Sequence, residues 1–209
     1  MLAEWEPPTS NAASEVFYSI SAGRSAEDKL IDEYEVSMTK DMRSNLKNYK
    51  HLAISGPCFE QSGVCSPILR ALPDWFGIEE ATRQYIEDTN TMPTWLAIDG
   101  DTTIGFLTVQ MHFSQSAEIH VMGVLPAHHR SGAGRKLILA AEEYLCEQGV
   151  SFLQVKTLSA RHPDPFYAKT RQFYLAMGFI PLQEIPELWG ADNPCLQMVK
   201  AISLKKNSS

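Results

Sequence analysis

Between Ala117 and Leu158 the chain runs through an order of signals that few folds accept: strand, cation-loaded glycine loop, amphipathic helix, strand. "AEIHVMGVL" has the apolar content of a strand, and Pro126 ends its pairing. After the loop, Leu137, Ile138, Ala141, Tyr144 and Leu145 recur at helical spacing, and Gly149 closes the run. "SFLQVKTL" then reads as a second strand. The loop "HHRSGAGRK" is the informative part. Helix N-termini carry partial positive charge and disfavour bases, yet Arg130, Arg135 and Lys136 crowd this one. An arriving anion would explain them, with the glycines at 132 and 134 turning backbone N–H groups toward it.

Two familiar phosphate loops do not fit. A P-loop needs Gly-Lys-Ser/Thr, and Gly134 is followed by Arg135-Lys136-Leu137. A dinucleotide fingerprint needs a third glycine where Leu137 stands.

The flanking chain supplies the rest of one domain. "HLAIS" reads as a short strand, "SPILRALPDWFG" and "IEEATRQYIEDTN" as two helices. "TWLAIDGDTTIGFLTVQMHF" reads as a hairpin turning at Asp99-Gly100. "FYAKTRQFYLAMG" is a helix ending at Gly178, and "FIPLQEI" and "CLQMVKAI" are closing strands. The order is β-α-α-β-β-β-α-β-α-β-β, a mixed α/β sheet flanked by helices. Residues 1–24 read as a flexible tail, 25–49 as a helical extension, 50–202 as the domain and 203–209 as a disordered tail. The extension has a thin apolar face of Leu30, Ile31, Tyr34, Met38 and Met42.

Composition narrows the function classes. A net charge of -7 argues against nucleic acid as partner. Cys58, Cys65, Cys146 and Cys195 form no CxxC pair, which fits reduced thiols and no metal site. No stretch approaches the ~20 apolar residues of a membrane span, and the opening has no signal-peptide pattern. A cytoplasmic protein is the expectation.

Two stretches together resemble the GNAT superfamily of N-acetyltransferases. "GVLPAHHRSGAGRKLI" is similar to its acetyl-CoA motif, and "AKTRQFYLAMGF" to its later motif, where a helix tyrosine precedes a Gly-Phe strand start. The likeness covers roughly residues 50–200 and implies a mostly antiparallel sheet, acetyl-CoA as cosubstrate and an amine acceptor. It implies that Met122, Gly123 and Val124 hold the acyl end of the cofactor by backbone N–H. His129, Arg130, Ser131, Gly132, Ala133, Gly134, Arg135 and Lys136 would wrap its pyrophosphate. His129 stands where the motif usually has Arg or Gln, and Tyr167 where many members have asparagine. Gly123 suits a bulge or close approach.

Acetyl transfer from a thioester needs a base for an amine whose ordinary pKa is about 10.4. By strand alternation Glu118, His120, Met122 and Val124 share one face. The resemblance implies Glu118 as the base, and His120 is the alternative, because an imidazole with an ordinary value of about 6.5 passes protons through water. His112 is a candidate third relay member. Tyr174 is the candidate acid for the departing thiolate, with Tyr167 as understudy. Trp75, Phe76 and Trp189 are candidate acceptor-pocket residues, and Glu79, Glu80 and Glu187 candidate receivers of a cationic amine. Direct transfer is expected, since no cysteine has an activating neighbourhood. The competing reading is a non-catalytic acyl-CoA sensor or interaction module on this scaffold. The acceptor, and a homodimer through the last strand or the leading helix, stay open.

Overall fold

The computed structural model describes residues 52–190 and 192–203, so the two N-terminal expectations and the C-terminal tail lie outside the described residues. Among the described residues seven strands form one sheet: β1 Leu52–Cys58, β2 Thr94–Asp99, β3 Thr102–Phe113, β4 Ser116–Val124, β5 Phe152–Leu158, β6 Ile180–Ile185 and β7 Cys195–Ala201. Their spatial order is β1-β2-β3-β4-β5-β7-β6. Every pair is antiparallel except β4 with β5. That parallel pair needs a crossover, which α3 (Ala133–Glu147) provides.

The helices cover both faces. On one face α1 (Ser62–Arg70) packs Cys65, Ile68 and Leu69 against Leu96, Phe106 and Val121, with Tyr85 and Ile86 of α2 (Glu79–Asp88) alongside. On the other, α3 lays its stripe of Leu137, Ile138, Ala141 and Leu145 on Leu107, Val109, Ile119 and Val155, and α4 (Pro165–Ala176) adds Tyr174. These four α3 residues are fully buried. Each leucine or isoleucine among them contributes about 1.5–3 kcal/mol of transfer free energy.

Three local expectations change. The first helix starts at Ser62, a turn early, because the Asn90 Oδ1 atom accepts from the Ser62 N–H at 3.2 Å; it runs through Pro67 and stops at Arg70. The hairpin loop is Gly100-Asp101, since Asp99 pairs with Thr102 and Gly100 takes φ +60°. α4 begins at Pro165 because Asp164 caps it, accepting from the N–H groups of Phe166 and Tyr167 at 2.7 and 2.9 Å. Asp-Pro was a legible start signal. Among the described residues no helix is long and apolar enough to cross a membrane.

Two features of β4 create the site. It pairs with β5 only from Ser116 to Ile119, opposite Phe152 to Val155, and beyond that the strands part. Its register against β3 slips between Ile119 and Val121, which makes His120 a bulged residue. The bulge inverts the alternation that places Glu118, His120, Met122 and Val124 together. Met122 and Val124 pack toward α3, while Val121 and Gly123 face α1.

Candidate active site

The parting strands open a cleft of about 1480 Å³, with Ile119 to Val124 on one lip and Val155 to Thr157 on the other. The N-terminal loop of α3 forms one end, α4 one wall, and the segment between α1 and α2 another.

At the loop, Arg130 and Gly132 adopt left-handed backbone with φ +65° and +87°. For arginine that conformation costs of order 1–2 kcal/mol, as strained backbone at functional loops does. The Lys136 N–H closes the first helical turn on the Gly132 carbonyl at 3.0 Å, so the amides of Gly134 and Arg135 precede the first intrahelical donor. Arg130 and Arg135 line the cleft beside them. Gly134 has a second duty: a Cβ there would sit 3.1 Å from Phe173 Cζ, so its absence lets the helix end approach α4.

Not every base of the loop serves it. Lys136 turns away and donates from Nζ to the Leu52 carbonyl at 2.8 Å, outside the cleft lining, so it ties α3 to β1. Ser131 also stays out of the lining; its Oγ accepts from the Ala133 N–H at 3.2 Å. His129 donates from Nε2 to the Val124 carbonyl at 2.8 Å and pins the loop to the end of β4. No register shift falls at Gly123, but a Cβ there would meet Leu72 Cδ1 at 3.1 Å, so of the two expectations the close approach is the one the position shows.

On the β4 lip, Glu118 is 6 % exposed, and its Oε2 accepts from Lys156 Nζ at 2.5 Å and Gln154 Nε2 at 3.0 Å, with His112 Nε2 at 2.8 Å. Burial alone would raise the carboxyl, but the bonds and charges of Lys156 and His112 outweigh it and hold Glu118 below the ordinary carboxylate range. His112 thus joins Glu118, not His120. His120 Nε2 lies 2.7 Å from Asp88 Oδ2 at the end of α2, and its ring meets the Tyr85 ring edge-on at 5.3 Å. Sequence reading missed Asp88, which is 32 residues away with no local motif.

On the α4 wall, Tyr174 is 6 % exposed between the rings of Phe173 and Phe179. Burial pushes its phenol well above the ordinary value. It lines the cleft, and its hydroxyl has no hydrogen-bond partner among the described residues. The Thr157 Oγ1 atom, in a residue 2 % exposed, is likewise unpartnered on the β5 lip. Tyr167 is committed elsewhere. Its hydroxyl donates to the Trp75 carbonyl at 2.9 Å, and Trp75 Nε1 donates to Thr170 Oγ1 at 3.0 Å, clasping the α1–α2 segment to α4.

The family model described as acetyltransferase (GNAT) family matches residues 65–179, more than half of the chain. The chain belongs to the GNAT acetyltransferase family. No curated protein matches the sequence. Among solved structures it resembles a protein from Desulfovibrio desulfuricans assigned to the GNAT family, with TM-score 0.62 and 15% identity over 73% of this chain and 99% of that one. It also resembles an aminoglycoside 6'-N-acetyltransferase complexed with coenzyme A, with TM-score 0.58 and 16% identity over 74% and 99%. A third is the ribosomal-protein-S18-alanine N-acetyltransferase from Escherichia coli, with TM-score 0.58 and 16% identity over 76% and 98%. At such identities the likeness shows the fold.

Within this GNAT domain, Trp75, Phe76 and Trp189 do line the cleft. Glu79, Glu80 and Glu187 do not; Glu79 instead pairs with Arg70 at 3.0 Å on the exposed face of the helices. The four cysteines are free thiols, and burial pushes each of them up, Cys65 to about 12.

Proposed function

We propose that this GNAT domain transfers an acetyl group directly from acetyl-CoA to a primary amine of a small molecule, peptide or protein. The observation that carries the reading is Tyr174: a side chain 6 % exposed whose hydroxyl has no hydrogen-bond partner among the described residues, on the wall of the cleft whose end is the cation-bearing helix N-terminus. Its oxygen is therefore free to bond a ligand that enters the cleft.

The cofactor fits residues already present. The amides of Gly134 and Arg135, with the side chains of Arg130 and Arg135, form an anion site suited to a pyrophosphate. Where β4 and β5 part, unpaired strand edges and the Thr157 hydroxyl offer partners to the amide-bearing arm of the molecule. When bound, acetyl-CoA supplies the activated acetyl group as a thioester.

His120 takes the proton that the attacking amine must shed as its nitrogen bonds to the acetyl carbon. Asp88 keeps the imidazole turned and balances the charge it gains. We read His120 as the base in preference to Glu118, because Lys156 and His112 already draw on the Glu118 charge and lower its basicity. Tyr174 gives its proton to the leaving sulfur as the carbon–sulfur bond breaks, and solvent restores it. Raised by burial, the phenol stays protonated at neutral pH, and its uphill transfer to a thiolate of ordinary value about 8.5 requires the hydroxyl to hydrogen-bond the sulfur directly. Thiols pushed up by burial and absent from the cleft lining make poor nucleophiles, which supports transfer without a cysteine intermediate.

The test is thiol release from acetyl-CoA across primary amines of several classes. The reading expects amine-dependent release that Tyr174→Phe abolishes. Acetyl-CoA binding with no amine-dependent release from any class would favour a sensor instead.

A further inference from the structure

The cleft carries a signature of its acceptor, an inference that rests on the function proposed above. Among the described residues two carboxylates line it, Asp74 and Glu118, and three cationic side chains beyond the two arginines of the anion site, Lys156, Lys169 and Arg171. Glu118 is already balanced by Lys156 at 2.5 Å, and Asp74 is exposed. Asp88 is engaged with His120 at 2.7 Å. A polycationic acceptor would find one free carboxylate, Asp74, for its second and third ammonium groups, with Lys169 and Arg171 lining the same cleft. Uncompensated charge in such a site is costly.

The same region is aromatic. From His120 outward, Tyr85 stands edge-on at 5.3 Å and Phe76 edge-on to Tyr85 at 6.0 Å, an unbroken row leading away from the proposed base. Leu188 and Trp189, 47% and 40% exposed, add apolar surface to the same cleft. An amine whose nitrogen reaches His120 must lay its body along that row, where burial of apolar area is the available binding energy.

We infer that the acceptor is a monoamine carried on an aromatic or apolar body, seated on the Phe76–Tyr85 row with its nitrogen at His120, and that polyamines and aminoglycosides are poor acceptors. Glu79, Glu80 and Glu187 stand outside the cleft lining and add no acidic patch to it.

The experiment compares kcat/KM for 2-phenylethylamine and tryptamine with that for spermidine and kanamycin, using the full chain and acetyl-CoA. The aryl amines are expected to lead by about tenfold or more. Tyr85→Ala is expected to raise their KM about tenfold while leaving acetyl-CoA affinity unchanged. Should that variant fail to fold, Phe76→Ala carries the same expectation. Spermidine or kanamycin matching the aryl amines would overturn the inference and leave acetyl transfer standing. Aryl amines inert in a protein that binds acetyl-CoA would overturn it too. Absence of acetyl-CoA binding is a different failure, of the cofactor reading itself.

Discussion

His120, bulged out of β4, and Asp88, at the last turn of α2, meet through Nε2 and Oδ2 at 2.7 Å on the edge of the cleft. Each side chain is 17% exposed, so the contact is shielded yet reachable. This pair gives the site an oriented imidazole, and it exists because the β4 bulge turns residue 120 toward α2.

Asp88→Asn keeps the size of the side chain and removes its charge. Losing a charge-assisted bond of about 1.5–3 kcal/mol predicts a fall in kcat of roughly 10- to 100-fold. Acetyl-CoA affinity is expected to stay constant, and Asp88→Glu to recover part of the rate. A matching loss of cofactor binding would mean that Asp88 only supports the fold.

Tyr174→Phe removes one oxygen from a side chain held between Phe173 and Phe179. The packing survives, so the melting temperature is expected to hold while kcat falls about 100-fold or more. A variant with wild-type turnover would assign proton donation to another group.

The cations of the loop divide cleanly. Arg135→Ala is expected to weaken acetyl-CoA binding and to reduce its salt dependence, because the residue lines the cleft. Lys136→Ala removes the bond to the Leu52 carbonyl, costing about 1–3 kcal/mol of stability while cofactor affinity is unchanged. Titration calorimetry and thermal melts on both variants separate the two effects.

Much of this was legible in the sequence, and what was not shares a cause. The α3 stripe from Leu137 to Leu145 and the glycine loop are local patterns, readable within one or two helical turns. The partners of His120, Glu118 and Lys136 are not. Asp88, Lys156 and Leu52 lie 32, 38 and 84 residues away, and spacing along the chain says nothing about contacts of that range. The bulge was hidden as well. In "EIHVM" apolar residues continue on both sides of His120, so simple alternation assigned Met122 and Val124 to the wrong face.

Glu118 supplies a pH test. Its folded carboxyl is held below the ordinary range, so the unfolded chain takes up the proton first as pH falls. The stability it contributes is present above the ordinary carboxylate value of about 4.3 and is lost as pH drops through the lower folded value. Glu118→Gln is therefore expected to be less stable than wild type by about 1–3 kcal/mol at pH 7, with the difference shrinking in acid. A gap that stays constant down to pH 3, read by denaturant melts, would contradict the assigned network.

The central claim is that the N-terminal end of α3 holds the diphosphate of acetyl-CoA, and calorimetric titration of the full chain with acetyl-CoA addresses it directly. Saturable binding is expected, with a Kd below about 0.1 mM that weakens as salt rises and weakens further in Arg130→Ala and Arg135→Ala. A flat titration at millimolar cofactor, or binding indifferent to salt and to both arginines, would contradict it.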